Sequence, residues 1–210
     1  LLRAAQRHGA LTLTGTVRLT TRGSRVTGVE VDGEALPADA VVVAAGAWTS
    51  RLLAPLGLEV EVRPSKGQLC HVRLDGASTP TEAWPIVQTA SGHYLLAFDG
   101  GRVVFGAARE PDTWDTRVTP GGLAENTAHA LAVAPGLADA TYLETRVGLR
   151  PTTPDGRALL GPVEGTEGLI VATGLGAVGL TAGPWTGLLA ASFARGEEPA
   201  EDCTAFRPCR

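Results

Sequence analysis

The sequence predicts a mixed α/β protein in which a second, antiparallel domain interrupts the first. The runs Ala38–Gly46 and Leu169–Ala172 are apolar without alternation. Strands buried on both faces of a parallel sheet have this character. Between the two runs, from Val60 to Phe105, short alternating segments are separated by tight turns, which is typical of antiparallel strands. This order is the layout of a nucleotide-binding domain interrupted by a second domain.

The first part of the chain predicts a helix, two strands and a further short helix. Residues 1–8 keep helical spacing and stop at Gly9, a common helix terminator. Leu11–Leu19 alternates apolar residues with Thr or Arg, as a half-buried strand does, and Val26–Val31 forms a second strand. The buried run Ala38–Gly46 follows, and Trp48–Leu56 predicts a short helix.

The middle part predicts a sheet followed by a helix. The turn Asp99–Gly101 joins the last two strands of the sheet. Residues 110–120 form an irregular loop, and Leu123–Val133 predicts a helix that Pro135 and Gly136 stop. The predicted strands of the sheet are Val60–Leu74, Trp84–Gln88, Tyr94–Phe98 and Val103–Phe105.

The last part returns to the first domain. Thr141–Leu149 predicts a strand, residues 150–156 a rigid turn, and residues 180–194 a helix that ends at Arg195 and Gly196. The residues beyond Glu197 are expected to be loose. The predicted boundaries are residues 1–56 and 141–196 for the first domain, 57–140 for the second, and 197–210 for a tail.

Composition excludes several classes of function. The formal net charge is −4 and the basic residues do not cluster, which argues against nucleic acid or an anionic membrane surface as a partner. No apolar run is long enough to span a bilayer. The three cysteines, Cys70, Cys203 and Cys209, cannot all pair within the chain and predict a reduced, cytoplasmic protein. The Cys and His spacing predicts no metal site.

The chain has no Met, and its first residues, Leu1-Leu2-Arg3-Ala4-Ala5, have the pattern of the end of a helix that starts before Leu1. We therefore expect that translation does not begin at Leu1.

Three segments have residue patterns that suit chemistry. The first is the strand from Val41 that runs into Ala44, Ala45, Gly46 and Trp48. Small residues here let the backbone come close to a ligand or to another segment. Tight packing of a strand against a helix explains the same residues equally simply.

The second segment is a glycine loop between a strand and a helix. Gly174, Gly176 and Gly179 follow the strand and open the last helix, where free N–H groups make an anion or dipole site. The spacing matches G-x-G-x-x-G, but the dinucleotide motif opens a βαβ unit with an acidic residue about 20 positions later. Here the glycines lie near the end of the chain, so they do not open a βαβ unit. Close packing of the helix is the alternative explanation of these glycines.

The third segment holds Arg150 at the end of a strand, fixed by Pro151 and Pro154 and flanked by glycines. A guanidinium fixed in this way suits a bidentate grip on a carboxylate. A surface ion pair is the simpler alternative.

In this order the segments resemble the FAD-dependent oxidoreductases of the D-amino-acid oxidase family, and most of all its glycine oxidase and D-amino-acid dehydrogenase members. The resemblance runs through most of the chain. It rests on Ala40–Trp48, Pro64–Gln68, Gly92–Leu95, Val104–Gly106, Gly148–Gly161 and Ala172–Pro184.

The resemblance implies an FAD-binding βαβ domain interleaved with a mixed-sheet substrate domain. It also implies that the strand and loop that bind the pyrophosphate would lie upstream of Leu1, in a missing N-terminal FAD-binding segment. Gly148 stands where sarcosine-oxidase-like relatives carry a flavin-linking Cys, so FAD is expected to bind noncovalently. The residues implied to lie near FAD are Ala44, Ala45, Gly46, Trp48, Gly174, Leu175, Gly176, Ala177, Val178, Gly179 and Leu180.

For the substrate, the resemblance implies that Arg150 binds the carboxylate and that Tyr94 lies in the active site, although a core tyrosine is the alternative. Hydride transfer from a small amino acid or amine to the flavin would give an imine that water hydrolyses to a keto acid and ammonia. Leu175 and Ala177 replace a His and an Arg expected in glycine oxidases, which suggests a more apolar pocket wall.

We expect His71, His93 and His129 to be strand, turn and helix-surface residues and not acid–base catalysts. The other hypotheses are a truncated, non-catalytic chain that binds no FAD and an unrelated binding module.

Overall fold

The computed structural model describes residues 1–76 and 80–208, so Cys209 lies outside the described residues. The chain divides into two compact units. The first unit comprises Leu1–Val62 and Thr153–Arg210, and the second comprises Arg63–Thr152. The mixed α/β class predicted from the sequence is confirmed, because helices and both parallel and antiparallel strands are present.

The first unit begins with helix α1 (Leu2–Arg7) and an antiparallel sheet in the order β1-β2-β3. Its strands are β1 (Val17–Arg22), β2 (Arg25–Val31) and β3 (Glu34–Pro37). The strand predicted from Leu11 therefore starts six residues late. The alternation at Leu11 and Leu13 is real, but both side chains are exposed and no strand of residues 1–76 or 80–208 pairs with this stretch.

A second sheet of the first unit has the order β11-β12-β4. Its strands are β4 (Val41–Val43), β11 (Leu159–Pro162) and β12 (Leu169–Thr173). Strands β12 and β4 pair in parallel, as their apolar runs predict. Strand β4 lies at the edge of this sheet, so Val42 is exposed although burial on both faces was expected.

Two helices complete the first unit. Helix α2 (Thr49–Leu53) is extended at both ends by 3-10 turns, which gives the helical stretch predicted from Trp48 to Leu56. Helix α4 (Gly179–Ala194) packs against β11 and β12.

Part of the tail, within residues 197–208, is packed and not loose as expected. Cys203 is buried in a cluster with Leu189 and Phe193 of α4. The Arg207 guanidinium lies over the Phe193 ring, 4.8 Å from its centroid. These contacts fix residues that composition alone suggested would be disordered.

The second unit is an antiparallel sheet in the order β10-β5-β8-β7-β6, with β9 also paired to β5. Helix α3 (Pro120–Val133) packs on β5 and β8 and begins where the Thr119 hydroxyl accepts a hydrogen bond from the Gly122 N–H. The strands are β5 (Arg63–Arg73), β6 (Val87–Gln88), β7 (Tyr94–Ala97), β8 (Arg102–Gly106), β9 (Glu110–Pro111) and β10 (Thr141–Thr152).

The boundaries of this unit differ from those predicted. Strand β10 runs to Thr152 and belongs to the second unit, whereas the sequence suggested a return to the first domain at residue 141. The reason is that β10 pairs with β5 along its full length, from Thr141 opposite Arg73 to Thr152 opposite Arg63.

The two faces of the β5 region have different surroundings. Lys66, Gln68 and Cys70 alternate onto one face and are fully buried. Helix α3 lies on this face, where the Asn126 amide donates to the Gln68 carbonyl and the Gly122 N–H contacts Thr119. The opposite face carries Ser65, Gly67 and Leu69.

Across residues 1–76 and 80–208, no helix combines the length and the apolar character that crossing a membrane requires.

Candidate functional site

Both glycine-containing segments of the first unit lie at one edge of its mixed sheet. Because β4 and β12 are parallel neighbours, the residues after Val43 and the residues after Thr173 leave the sheet at the same end, where the carboxyl ends of both strands lie. The Thr173 hydroxyl donates a hydrogen bond to the Gly46 carbonyl at 3.1 Å and links the two segments. In open α/β sheets, ligands bind in the crevice at the carboxyl ends of the strands. The structure therefore brings Ala44–Trp48 and Gly174–Leu180 together.

The backbone at this edge requires glycine at two points. Gly46 has φ of 56° and Gly174 has φ of 75°, in the left-handed region that other residues rarely adopt. A Cβ on Gly174 would lie only 2.9 Å from the Thr153 Cγ2 atom. Gly174 is therefore needed both for its backbone conformation and for the close approach of Thr153, whereas Gly46 is needed for its backbone conformation alone, because a Cβ there would meet no atom within 4 Å.

The start of helix α4 has the character of a site for negative charge. Val178 occupies the N-cap without a side-chain hydrogen bond, and the first turn has no acidic residue. The helix has 16 residues, so its N-terminal N–H groups and dipole present partial positive charge. Val178 is 59% exposed and Leu180 98% exposed, which leaves this end of the helix open.

A cavity of about 490 Å³ lies beside the first of these segments. Ala45 and Trp48 line it together with apolar side chains of β1 and the α2 region, among them Leu19 and Leu52. Trp48 is 50% exposed and Ala44 is also exposed. The apolar cavity beside Ala45 and Trp48 suits the apolar part of an aromatic ligand, and the uncapped start of α4 suits electron-rich groups such as the carbonyls of a flavin.

In the second unit, the Arg150 guanidinium lies flat against Gly67. An ideal Cβ on Gly67 would lie 2.2 Å from Arg150 Nη1 and 2.4 Å from Nη2. Arg150 pairs with Ser65 across β10 and β5, and Gly67 pairs with Gly148. Since directly paired residues share a face, Arg150 lies on the face opposite to α3.

Tyr94 lies on the same face of this sheet as Arg150. It pairs with Gly106, which pairs in turn with Leu69, and Leu69 shares its face with Gly67. The Arg150 guanidinium donates a hydrogen bond to the Tyr94 hydroxyl, which opposes the lowering of the pKa of Arg150 by burial. The structure thus brings together the two residues predicted to contact the substrate.

The Arg150 guanidinium lacks the partners that a buried cation normally has. Its Nη1 is buried and has no hydrogen-bond partner in the described part of the chain. Burial lowers the pKa of Arg150, and the positive charge of Arg109 lowers it further. No carboxylate of residues 1–76 or 80–208 forms an ion pair with Arg150, so the surface ion pair considered above is not seen there. A half-buried guanidinium that has a free buried N–H group and no ion pair is suited to an anionic ligand.

The arrangement of Lys66 has no signal in the sequence pattern. This lysine is fully buried on the α3 face, with its Nζ 3.2 Å from Glu110 and 4.0 Å from Asp115. The pairing of Lys66 with Glu110 comes from the short strand β9, which lies in the predicted loop. The two-residue strand is too short to give a periodic signal.

The histidines are more buried than expected. His71 and His93 are both buried, and the His93 ring stacks on His129 with centroids 3.7 Å apart. His93 Nε2 lies 3.5 Å from a Glu125 carboxylate oxygen. The fold thus assembles a His-His-Glu group that the sequence spacing did not predict.

Comparison with known proteins gives one matching family, whose description is DAO, FAD dependent oxidoreductase, over residues 1–193. An uncharacterized oxidoreductase, YurR, of Bacillus subtilis is 44% identical over 210 residues, which are 99% of this chain and 56% of that protein. The glycine oxidase of Geobacillus kaustophilus is 35% identical over 182 residues, which are 85% of this chain and 46% of that protein.

Solved structures agree with these relatives. The iminodiacetate oxidase of Chelativorans sp. BNC1 has a TM-score of 0.93 at 43% identity, over 99% of this chain and 56% of that one. The glycine oxidase of Geobacillus kaustophilus has a TM-score of 0.82 at 34% identity, over 92% of this chain and 52% of that one. The chain spans about half the length of the relatives it matches.

Proposed function

The chain belongs to the DAO family of FAD-dependent oxidoreductases, and on that premise we propose that the protein oxidises the C–N bond of a small amino acid or amine that carries a carboxylate. The observation that carries this proposal is the Arg150 guanidinium, which is partly desolvated, lies over Gly67 and has a buried Nη1 without a partner. A carboxylate bound there would supply the missing acceptors in bidentate geometry.

The first unit is proposed to hold FAD noncovalently. The residues proposed to contact the cofactor belong to the two segments that follow β4 and β12. From the segment after β4 they are Ala44, Ala45, Gly46 and Trp48. From the segment after β12 they are Gly174, Leu175, Gly176, Ala177, Val178, Gly179 and Leu180. FAD, when bound, supplies the acceptor for the two electrons of the oxidation. The α4 N-terminus would stabilise negative charge on the reduced ring.

The second unit is proposed to bind and orient the substrate. Arg150 would hold the carboxylate, and the Tyr94 hydroxyl would both fix the guanidinium and contact the substrate. The α-carbon loses a hydride and the nitrogen loses a proton, which leaves an imine. Water then hydrolyses the imine to a keto acid and ammonia or an amine. No side chain is proposed as a general base.

The names of the relatives support small substrates. Two of them are a glycine oxidase and an iminodiacetate oxidase, whose substrates each contain an aminoacetate group. Leu175 and Ala177 make the loop before α4 apolar.

We further propose a reducing, cytoplasmic location. Cys70 and Cys203 are both free and buried, as thiols of such a compartment are. Fractionation of the host cell, with detection of the protein in each fraction, tests this proposal.

The function is tested with the purified complete gene product. We expect the yellow colour and absorption bands of bound flavin, loss of flavin on acid precipitation, and oxidation of at least one of glycine, sarcosine, iminodiacetate and the D-amino acids. Colourless protein that stays colourless with added FAD and oxidises none of these compounds would support the non-catalytic alternative.

A further inference from the structure

We propose that Arg109 binds a second carboxylate, so that the preferred substrates are secondary amines with two carboxylates, of which iminodiacetate is the smallest. This inference rests on the proposed function, because it assigns a second anchor to the site built around Arg150. Nothing in the sequence pattern singled out Arg109.

Strand register places Arg109 on the face that carries Arg150. In the pairing of β9 with β5, Pro111 lies opposite Ser65 and Glu110 opposite Lys66. Continued by one residue, this register puts Arg109 opposite Gly67. Glu110 follows Lys66 onto the α3 face, where the two side chains pair at 3.2 Å. Its neighbour Arg109 therefore points to the opposite face, the face of Gly67 and Arg150.

Contacts of the Arg109 guanidinium agree with this placement. Its Nη2 lies 3.2 Å from the position of an ideal Cβ on Gly92, two residues before Tyr94. Gly92 has φ of 82° and leaves room there for the guanidinium. Arg109 thus lies beside the strand that carries Tyr94, and its charge lowers the pKa of Arg150.

The two guanidiniums differ from the other arginines of the second unit. Four of those pair with a carboxylate: Arg63 with Asp112, Arg73 with Asp75, Arg117 with Asp115 and Arg146 with Glu144. Arg102 contacts His71 Nδ1 and the Phe98 ring. Within residues 1–76 and 80–208, Arg109 and Arg150 form no ion pair with a carboxylate, and the charge of Arg109 acts on Arg150.

Arg150 is half-buried and Arg109 is exposed, and together they form a local excess of positive charge that favours a matching anion. A monocarboxylate would neutralise one guanidinium and leave the other without a partner, whereas a dicarboxylate neutralises both. In iminodiacetate the carboxylates stand at the two ends of a CH2–NH–CH2 unit. With one on Arg150 and the other on Arg109, the carbon to be oxidised is held between two fixed ends.

The balanced reaction for this substrate is iminodiacetate, FAD and water giving glyoxylate, glycine and reduced FAD. Sarcosine is the matched comparison, because a methyl group replaces one carboxymethyl group and the reacting carbon is unchanged. Both compounds are assayed with the complete gene product loaded with FAD, and their binding is measured separately by calorimetry.

We expect the wild type to have a higher kcat/KM for iminodiacetate than for sarcosine. Arg109→Ala should lower kcat/KM for iminodiacetate roughly 10- to 100-fold, the size of one charged hydrogen-bonded contact, and leave that for sarcosine unchanged. Calorimetric affinity for iminodiacetate should fall in parallel. Arg109→Lys should retain part of the preference, and the exposed control Arg73→Ala should retain all of it.

The outcomes separate this inference from the proposed function. Oxidation of sarcosine without a preference for iminodiacetate, or an equal effect of Arg109→Ala on both compounds, overturns the role of Arg109 and leaves the proposed function intact. A protein that binds no flavin and oxidises neither compound overturns both.

Discussion

The Arg150 guanidinium occupies the space that a side chain at Gly67 would fill, because an ideal Cβ on Gly67 would lie 2.2 Å from Nη1 and 2.5 Å from Cζ. Gly148 lies directly opposite Gly67 on β10, and a Cβ there would have no atom within 4 Å. The sheet thus has two facing glycines of different function. Gly67 makes room for the Arg150 guanidinium, and Gly148 leaves open space.

Gly67→Ala should impair substrate binding without impairing folding. The atoms in the way belong to the end of a flexible side chain, so Arg150 would move and the backbone would not. We expect kcat/KM for carboxylate substrates to fall roughly 10- to 100-fold, as for the loss of a charged hydrogen bond, with the melting temperature unchanged or raised. Steady-state kinetics and thermal unfolding measure the two effects. The control Gly121→Ala, in helix α3 on the other face of the sheet, meets no atom within 4 Å and should leave kcat/KM unchanged. Equal kinetic losses in both variants would contradict this role of Gly67.

Arg150→Met should separate stability from catalysis. Removal of a buried guanidinium with an unpaired Nη1 relieves a desolvation cost, so the free energy of unfolding should stay the same or rise. Transition-state stabilisation should fall by about 2–4 kcal/mol, because the charge-assisted contact to the carboxylate is lost. Urea denaturation and kcat/KM are the measurements. Unchanged catalytic efficiency would remove Arg150 from the site.

Glu110→Gln should destabilise the second unit by leaving a buried cation with a weaker partner. Lys66 is fully buried, and its Nζ lies 3.2 Å from Glu110, whose side chain is 40% exposed. Because that partner is partly hydrated, we expect a loss of about 2 kcal/mol, below the value for a fully buried pair. The control Asp112→Asn breaks the exposed pair with Arg63 and should cost at most about 1 kcal/mol. Equal losses in urea denaturation would show that burial of Lys66 has no effect.

Much of the fold follows from local signals in the sequence. The apolar runs that form β4 and β12 predict their parallel pairing, and the glycine loop predicts the start of α4. The family resemblance rests on the same segments and is confirmed by the match over residues 1–193. The hypothesis of an unrelated binding module is therefore wrong.

The remaining features depend on tertiary pairing, which periodicity does not report. Leu11 and Leu13 alternate as a strand does but pair with no strand in the part of the chain that the structure describes. Strands β3 and β11 are short and lie among turn residues, so neither gave a signal. The position of Arg109 follows only from the register of the two-residue strand β9.

Gly174→Ala should disturb the turn before α4. The residue has φ of 75°, which costs an Ala about 1–2 kcal/mol, and its Cβ would lie 2.9 Å from Thr153 Cγ2. We expect lower stability and weaker binding of FAD, measured by urea denaturation and by flavin titration of the apoprotein. Gly187→Ala in the same helix meets no atom within 4 Å and should stabilise the protein by about 0.5–1 kcal/mol. If Gly174→Ala and Gly187→Ala changed the stability and the FAD affinity in the same way, the turn before α4 would have no special role in either.

Stability of the second unit should fall as the pH drops below the ordinary titration range of histidine. Burial is the main cause that lowers the pKa of both His71 and His93, assisted by Arg102 for His71 and by His129 for His93. The Arg102 Nη2 donates to His71 Nδ1 at 2.7 Å, which favours the neutral ring.

Because the folded-state pKa lies below the unfolded one, the unfolded chain takes up protons first. The stabilisation is complete above the ordinary pKa of 6.5 and is lost as the pH falls below it, by at most about 1.4 kcal/mol per pH unit for each proton. Unfolding free energies at a series of pH values from neutral to mildly acidic should show this slope. In His71→Asn or His93→Asn the slope should become shallower, since one group no longer titrates. A slope that is the same in the wild type and both variants would mean that other groups cause the loss of stability in acid.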